Sequence, residues 1–332
     1  MSNGHKIAID VMSGDYAPDE IIKGCVKASK EVKAKLILVG DEAVIKAKLA
    51  DFTYEASKIE VAHASQVITM EDSPVLAIRE KKDASMVVAM KLVKEGYAQG
   101  IVSAGNTGAI LAGSKLIIGC IKGIKRPALA PLIPNKRGYS LLVDCGANVD
   151  VKPENLDQFA RMGTVYMEQC LGISSPRVGL INIGTEEEKG NALTKEAFKI
   201  LSSDDKINFV GNIEAREIPS GEADILVCDA FVGNVVLKFM EGFGSWVFKM
   251  VKEEFMRSFK TKIAALLMKG GINNIRNKFD YASQGGAPLL GLKGLVVKTH
   301  GNSKEKQIYS TILQTEKFIQ EDLVGKISSK FE

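Results

Sequence analysis

This 332-residue chain lacks most of the side-chain groupings that announce a chemistry. Its five cysteines (Cys25, Cys120, Cys145, Cys170, Cys228) include no C-x-x-C pair, so spacing excludes a redox dithiol and a thiolate metal site. Most lie in apolar surroundings and read as buried free thiols, which suits a reducing cytoplasm. His5, His63 and His300 show no metal-ligand spacing. With 44 Lys and Arg against 40 Asp and Glu, the formal charge is only +4. That balance does not call for nucleic acid, and no basic patch is interleaved with aromatics. No apolar run is long enough to span a bilayer. The polar start, Met1 to Lys6, runs straight into a strand, so no signal peptide is expected. There is no G-x-S-x-G elbow, no P-loop, and no G-x-G-x-x-G after the first strand. No nucleophile stands beside an obvious base, and no cofactor or metal is expected.

What is present is an alternation of short apolar runs with segments of helical period. Lys6 to Met12, Lys35 to Val39, Ile59 to His63 and Gly100 to Val102 read as strands. Asp19 to Val32 and Ala84 to Glu95 read as helices between them, with Pro18 suiting a helix start. Strand, helix, strand with short turns predicts a parallel sheet covered by helices on both faces. Ala128 to Pro134 and Gly138 to Asp144, joined by Asn135-Lys136-Arg137, predict an antiparallel pair in or beside that sheet. A long helical region is expected from Val235 to about Gly270, then a glycine-rich segment over Phe279 to Gly291. No repeat or linker is visible, so residues 1–332 are expected to form a single interleaved α/β domain.

The chain is organised around Ser103-Ala104-Gly105-Asn106-Thr107-Gly108, which follows a strand and opens a helix. Gly105 and Gly108 let backbone approach a ligand, and free N–H groups at a helix start attract an anion. Ser103, Asn106 and Thr107 add side-chain donors. The loop fits a phosphate site and equally fits a structural helix cap. Similar turns close other strands: Asp10 to Asp15, Asp144 to Asp150, Thr185 to Asn191, Asp229 to Asn234 and Lys298 to Ser303. Ligands of open α/β sheets gather outside the carboxyl ends of strands. Together the turns describe a cleft that binds phosphate and polarises a carbonyl, the attacking group coming from a substrate.

Asp10 to Pro18, the Ala-Gly-Asn-Thr-Gly-Ala loop, Arg126-Pro127-Ala128 and Asp144 to Phe159 resemble the bacterial phosphate acyltransferase family (PlsX) of phospholipid synthesis. So do Asn182 to Asn191, Gly211-Asn212-Ile213-Glu214, Asp229 to Leu237, Gly285 to Gly291 and His300-Gly301-Asn302. The matches run in order from about Ile7 to Ser303. Ser13 stands where that family usually has glycine, and Asn155 where histidine is expected. The resemblance implies transfer of a fatty acyl group from acyl carrier protein to inorganic phosphate, with no cofactor. The acyl phosphate would pass to a membrane glycerol-phosphate acyltransferase. The expected fold is a Rossmann-like three-layer sandwich with a mostly parallel sheet, isocitrate/isopropylmalate dehydrogenase-like, plus a protruding amphipathic helical hairpin.

With phosphate as nucleophile, no acyl-enzyme is needed. Catalysis then rests on aiming a dianion and stabilising an oxyanion. Lys189, Asn234 and His300 are the expected catalytic groups. Lys189 is the main cation, against the plainer role of neutralising Glu186 to Glu188. Asn234 is a donor to carbonyl or phosphate, against a helix N-cap. His300 is a phosphate donor or proton shuttle, against a structural histidine. The expected phosphate- and substrate-binding set is Asp10, Gly14, Ser103, Gly105, Asn106, Thr107, Gly108, Asp144, Asn148, Gly233, Gly301 and Asn302. Asp10 and Asp144 orient donors or cap turns.

Residues 236–280 differ in character. Eight basic residues between Lys249 and Lys278 face only Glu253 and Glu254. Phe255, Phe259, Ile263, Leu266 and Leu267 recur at helical spacing. A basic amphipathic helix can lie on an anionic membrane, or pack against a partner subunit. Homodimer packing near Trp246 and membrane contact through Phe259, Lys262, Ile263, Leu266 and Leu267 are both expected. The protein would then be cytoplasmic and peripherally bound to the inner face of the cell membrane. Two other readings stay open: a phosphotransacetylase-like enzyme on short acyl-coenzyme A, and a non-catalytic membrane adaptor that binds acyl carrier protein.

Overall fold

A computed structural model describes residues 4–279 and 285–331. Residues 1–3 of the polar start, 280 of the helical protrusion and 280–284 of the glycine-rich segment lie outside them. So do the side chains of Arg276 and Lys278 from the basic stretch.

The elements in chain order are β1 (Lys6–Asp10), α1 (Asp19–Ser29), β2 (Lys35–Gly40), α2 (Glu42–Leu49), β3 (Ile59–His63), α3 (Pro74–Glu80), α4 (Ser85–Lys94), β4 (Gly100–Ser103), α5 (Thr107–Gly113), β5 (Ala128–Leu129), β6 (Leu132–Asn135) and β7 (Gly138–Val143). Then come α6 (Pro153–Leu171), β8 (Arg177–Asn182), α7 (Ala192–Ser203), β9 (Asn208–Glu214), β10 (Ile225–Val227), α8 (Ala230–Met256), α9 (Phe259–Phe279), β11 (Ala287–Leu290), β12 (Leu295–Lys298), α10 (Glu305–Gln320) and α11 (Leu323–Ser329).

The strands form two sheets where the sequence suggested one. The first has seven strands in the order β3-β2-β1-β4-β12-β11-β5, the second five in the order β6-β7-β10-β8-β9. Neighbours are parallel except where β11 meets β12 and β5, and where β6 meets β7. β1 and β2 read as unbroken apolar runs because helices cover both faces of a parallel sheet. Ile7, Ala8, Ile9, Leu36, Ile37 and Leu38 are all fully buried.

The expected strand Ala128 to Pro134 divides at Ala130-Pro131. Ala130 N donates to Pro288 O of β11, whereas Pro131 O accepts from Leu142 N of β7. Pro131 has no N–H to continue a ladder, so the chain leaves the first sheet there. It returns at β11, inside the segment expected to be glycine-rich loop. One core spans both sheets: Tyr166 of α6 meets Phe318 of α10 edge-on at 5.4 Å. The long helical region expected after Asp229 is two helices, α8 and α9, parted at Arg257-Ser258.

α8 reaches the second sheet through its first turn, where Ala230 and Gly233 are its buried residues. A methyl group on Gly233 would run into the Asp144 carbonyl oxygen at the end of β7 and approach Cys228 Sγ to 3.0 Å. Gly233→Ala should therefore cost about 3 kcal/mol or more, because the obstructing atom is backbone. The check is the urea midpoint, expected to fall without change of slope. An unchanged midpoint would mean that α8 docks less closely.

Candidate active site at the seam of two sheets

The carboxyl ends of β1, β4 and β12 lie side by side because these strands are parallel neighbours. Asp10 closes β1 and is fully buried. Its carboxylate accepts from Ser85 Oγ at 2.6 Å and Ser103 Oγ at 2.7 Å. Burial pushes its pKa up, and these hydroxyls pull back against that. Ser103 Oγ in turn accepts from Gly105 N at 3.1 Å, so Ser103 is spent on fixing the loop. Asn106 caps α5, accepting from Ala109 N at 3.1 Å while its amide donates to Met70 O at 3.1 Å. The plain cap reading thus describes Asn106's hydrogen bonds. Thr107 and Gly108 form the first turn of α5, where a methyl on Gly108 would crowd Pro74. Gly14, at φ +117°, sits against Ala104 and Gly301. Asp15 N donates to Gly301 O at 2.8 Å, and Thr299 N to Ser103 O at 2.9 Å. These bonds lock the Asp10, Ser103 and His300 turns into one rim. Asn302 is exposed there, and its N–H donates to His300 Nδ1 at 3.4 Å.

The second rim holds the ends of β7, β10 and β8, again parallel neighbours. Asp144 is fully buried and accepts from Leu129 N, Ala147 N, Asn148 N and Asn148 Nδ2 at 2.7–3.1 Å. Burial pushes its pKa up to about 6, against the pull of those donors. Asn148 also donates to Pro127 O at 2.7 Å, and its carbonyl accepts Ala230 N at the start of α8. Asp144 and Asn148 therefore fix the turn and the foot of α8. The N-cap of α8 is Asp229, which accepts from Val232 N at 2.8 Å. That displaces the cap alternative for Asn234, which stands exposed in the following turn. Lys189 is exposed at the end of β8; its stem lies over Gly184, and its carbonyl accepts from Asn182 Nδ2 at 3.1 Å.

The rims meet where Lys298 ends β12. This lysine is half-buried, and its ammonium donates to Thr299 O at 3.1 Å within the electrostatic reach of Lys238 and Glu241 of α8. Burial first, and then Lys238, pull its pKa down to about 8. The same burial and the charges of Lys298 and Lys238 hold His300 below its usual 6.5, so the imidazole is neutral at pH 7. With Nδ1 accepting from Asn302 N, its proton sits on Nε2. Cys145 donates its thiol to Gly233 O at 3.3 Å, and burial pushes its pKa up to about 12. Cys228, fully buried, is raised as well. The sequence places Lys298 in a turn, whereas it is the last residue of β12; the one signal for it is a cation ending a strand just before His300-Gly301-Asn302. Among the described residues, no three His, Cys, Asp or Glu side chains gather as a metal site.

The sequence matches the fatty acid synthesis protein family over residues 5–326. The chain belongs to that family. It is 50% identical over 323 residues to the phosphate acyltransferase of Alkaliphilus oremlandii, covering 97% of this chain and 96% of that protein. It is 48% identical over 328 residues to the phosphate acyltransferase of Clostridium novyi, covering 98% of each. In fold it resembles a phosphotransacetylase from Streptococcus pyogenes, with TM-score 0.66 and 16% identity over 96% of this chain and 94% of that one. A 4-hydroxythreonine-4-phosphate dehydrogenase from Klebsiella pneumoniae follows the same α/β plan, with TM-score 0.53 and 11% identity over 94% and 98% of the two chains.

Away from the seam, α8 extends about 40 Å and carries an exposed aromatic row. Phe239 stacks on Phe243 at 5.6 Å, and Phe243 meets Trp246 at 5.7 Å. On α9, Phe259 and Leu267 are 79% and 82% exposed, and Lys262, Ile263 and Leu266 are exposed beside them. No helix among the described residues is long and apolar enough to cross a membrane.

Lys298 carries a stability signature. Its folded pKa of about 8 lies below the ordinary 10.5. Between those values the folded state holds fewer protons than the unfolded chain, so stability rises with pH through that window. Lys298→Met should stabilise the protein at pH 7 by up to about 3 kcal/mol, and the gain should fade toward pH 10.5. Denaturant midpoints at pH 7 and pH 10 check this; a loss of stability at pH 7 would contradict it.

Proposed function

We propose that the protein transfers a fatty acyl group from acyl carrier protein to inorganic phosphate, releasing acyl phosphate and the carrier thiol. The observation that carries this reading is the chemistry of the seam. Lys298 ends β12 there, half-buried and within the electrostatic reach of Lys238, beside a neutral imidazole and a thiol whose pKa burial pushes up to about 12. Such a place binds an anion and offers no ionised nucleophile of its own. A phosphate oxygen attacks the thioester carbon, the tetrahedral oxyanion is stabilised by donors from Asn234 and Lys189, and the carbon–sulfur bond breaks. One such donor is worth roughly 3 kcal/mol, and holding phosphate against the carbonyl supplies the remaining advantage by proximity. His300, neutral with a proton on Nε2, donates to phosphate or the departing sulfur. A cavity of about 480 Å³ lined by Lys125, Arg126, Asp150 and Lys152 opens beside the turn that Asn148 ties to Pro127, and its three cations against one acid suit the approach of an anionic carrier.

In this reading the whole chain is one interleaved unit of the isocitrate/isopropylmalate dehydrogenase-like type, with α8 and α9 as its protruding hairpin. The aromatic row of α8 packs a homodimer, and the exposed face of α9 rests on the inner membrane surface. There the acyl phosphate passes to a membrane glycerol-phosphate acyltransferase. The phosphotransacetylase-like fold favours a second reading, a short acyl-coenzyme A substrate, but such an enzyme has no use for the greasy tip.

Phosphate-dependent thiol release, measured side by side on long-chain acyl carrier protein and short acyl-coenzyme A, should favour the carrier; the reverse preference selects the second reading. Lys189→Ala should lower turnover about 10²- to 10³-fold with an unchanged circular dichroism spectrum, and full turnover would remove Lys189 from the mechanism. Leu266→Glu with Leu267→Glu should abolish co-flotation with anionic vesicles. Undiminished flotation would move the membrane contact elsewhere.

A further inference from the structure

We infer that the cavity between Lys125-Arg126 and the start of α6 holds the phosphate at the root of a pantetheine arm, gripped by Arg126, Lys152 and the Asn155 amide. The inference rests on the reading of a carrier-borne thioester as substrate, and it names the part of that substrate this chain reads.

The cavity, about 480 Å³, is lined by Lys125, Arg126, Asp150, Val151, Lys152 and Asn155. Two loops and one helix make it, and α6 bolts both loops in place. Asn155 Oδ1 accepts from Lys152 N at 3.0 Å, and Gln158 Oε1 accepts from Lys125 N at 3.1 Å. Residues three apart share a helix face, so one face of α6 fixes the backbone under two of the three cations. Gln158 Nε2 also donates to Gly123 O at 2.9 Å, and Asn148 Nδ2 holds Pro127 O, next to Arg126, at 2.7 Å. The loop is thus tied on both sides of Lys125-Arg126.

The polar groups gathered there have no protein partners. Among the described residues, the side chains of Lys125, Arg126 and Lys152 make no ion pair or hydrogen bond, and Asp150 is unpaired beside them. Three cations around one hollow repel one another until an anion enters. Asn155 is 4% exposed, and among the described residues its Nδ2 donates to no protein group. A buried amide donor left unmet costs free energy, and this one belongs to a residue lining the cavity. The N-terminal end of α6, a helix of 19 residues, adds positive potential at the same place. The acid of its first turn, Glu154, is exposed and does not line the cavity.

Half-buried Val151 and the methylene stems of the three basic side chains supply an apolar wall. The root of a pantetheine arm matches this mixture, being a phosphate ester close to a geminal pair of methyl groups; inorganic phosphate would leave the wall unused. The position fits as well. Asn148 Nδ2 bonds to both Pro127 O and Asp144 Oδ2, at 2.7 Å each, so the cavity and the end of β7 lie on either side of one side chain. An arm rooted in the cavity passes the Asn148 turn toward the seam. The phosphate ester stays intact while the thioester reacts.

The test compares fatty acyl 4′-phosphopantetheine with fatty acyl pantetheine, the same thioester with and without its phosphate. Wild type should prefer the phosphorylated form by about tenfold to a hundredfold in kcat/KM, mostly through KM. Arg126→Gln with Lys152→Gln should bring that ratio to within a few-fold of one, and Asp150→Asn should raise it. Circular dichroism confirms folding, and Asp150→Asn serves if the double variant fails it. No preference in wild type, a preference kept by the double variant, or a ratio lowered by Asp150→Asn overturns the proposal. A KM for inorganic phosphate that rises as far as that for the thioester makes the free ion the occupant and overturns it too. So does weaker use of acyl carrier protein with the phosphopantetheine preference intact, which would assign the cations to the carrier's own surface. Titration calorimetry of the full chain with free 4′-phosphopantetheine and with pantetheine separates the two claims. If wild type makes no acyl phosphate yet binds the phosphorylated arm more tightly, and the double variant loses that difference, the proposed reaction falls and the site stands. If acyl phosphate forms and no such difference exists, the site falls alone.

Discussion

The structure depends on one buried carboxylate. Asp144 ends β7 in the second sheet and accepts Leu129 N from β5 in the first. Its remaining bonds shape the turn that carries Asn148, and Asn148 holds both Pro127 and the first N–H of α8. A buried charge is tolerated only when its lone pairs are met, and here four donors meet them. Gly233 then lets α8 descend onto the Asp144 carbonyl. The junction of the two sheets, the foot of α8 and the turn are tied together in that cluster. Asp10 plays the matching part in the first sheet, collecting Ser85 and Ser103 so that three strand ends share one rim.

Two rims of glycine-rich turns facing each other give a particular electrostatic setting. The acids that build them are buried under hydrogen bonds, where they shape loops and do not repel an incoming anion. The thiols that line the seam are held protonated, and the imidazole is held neutral. Burial raises the thiols and lowers the imidazole; the lysines nearby lower the imidazole further and pull against the shift of Cys145. Such a place is suited to bringing a dianion against a polarised carbonyl, and it gives a side-chain nucleophile no help.

Much of this was legible before the structure. Strand–helix alternation and the turns at strand ends follow from local sequence, because buried parallel strands are unbroken apolar runs and glycines mark sharp turns. The division into two sheets was not, since it turns on Pro131, one residue inside a plausible strand. The β11 strand was hidden because Gly285-Gly286 and Gly291 surround four residues that pair only through distant partners. Ser103 and Asn106 stand out in the sequence as donors, but whether a donor faces a ligand or its own loop is a tertiary question. Asp229, not Asn234, caps α8, which leaves Asn234 exposed. Nothing near Lys298 in sequence reveals that the charges of α8 will act on it.

The central claim is that orthophosphate attacks the thioester directly, with no acyl group resting on the protein. Exchange of labelled carrier thiol into acyl carrier protein, followed with the enzyme present and phosphate removed, tests it most directly. Direct attack predicts no exchange until phosphate is added, and no acyl mass on the intact protein. Exchange in the absence of phosphate, with an acyl group recovered on Cys145 or Ser103, would contradict it.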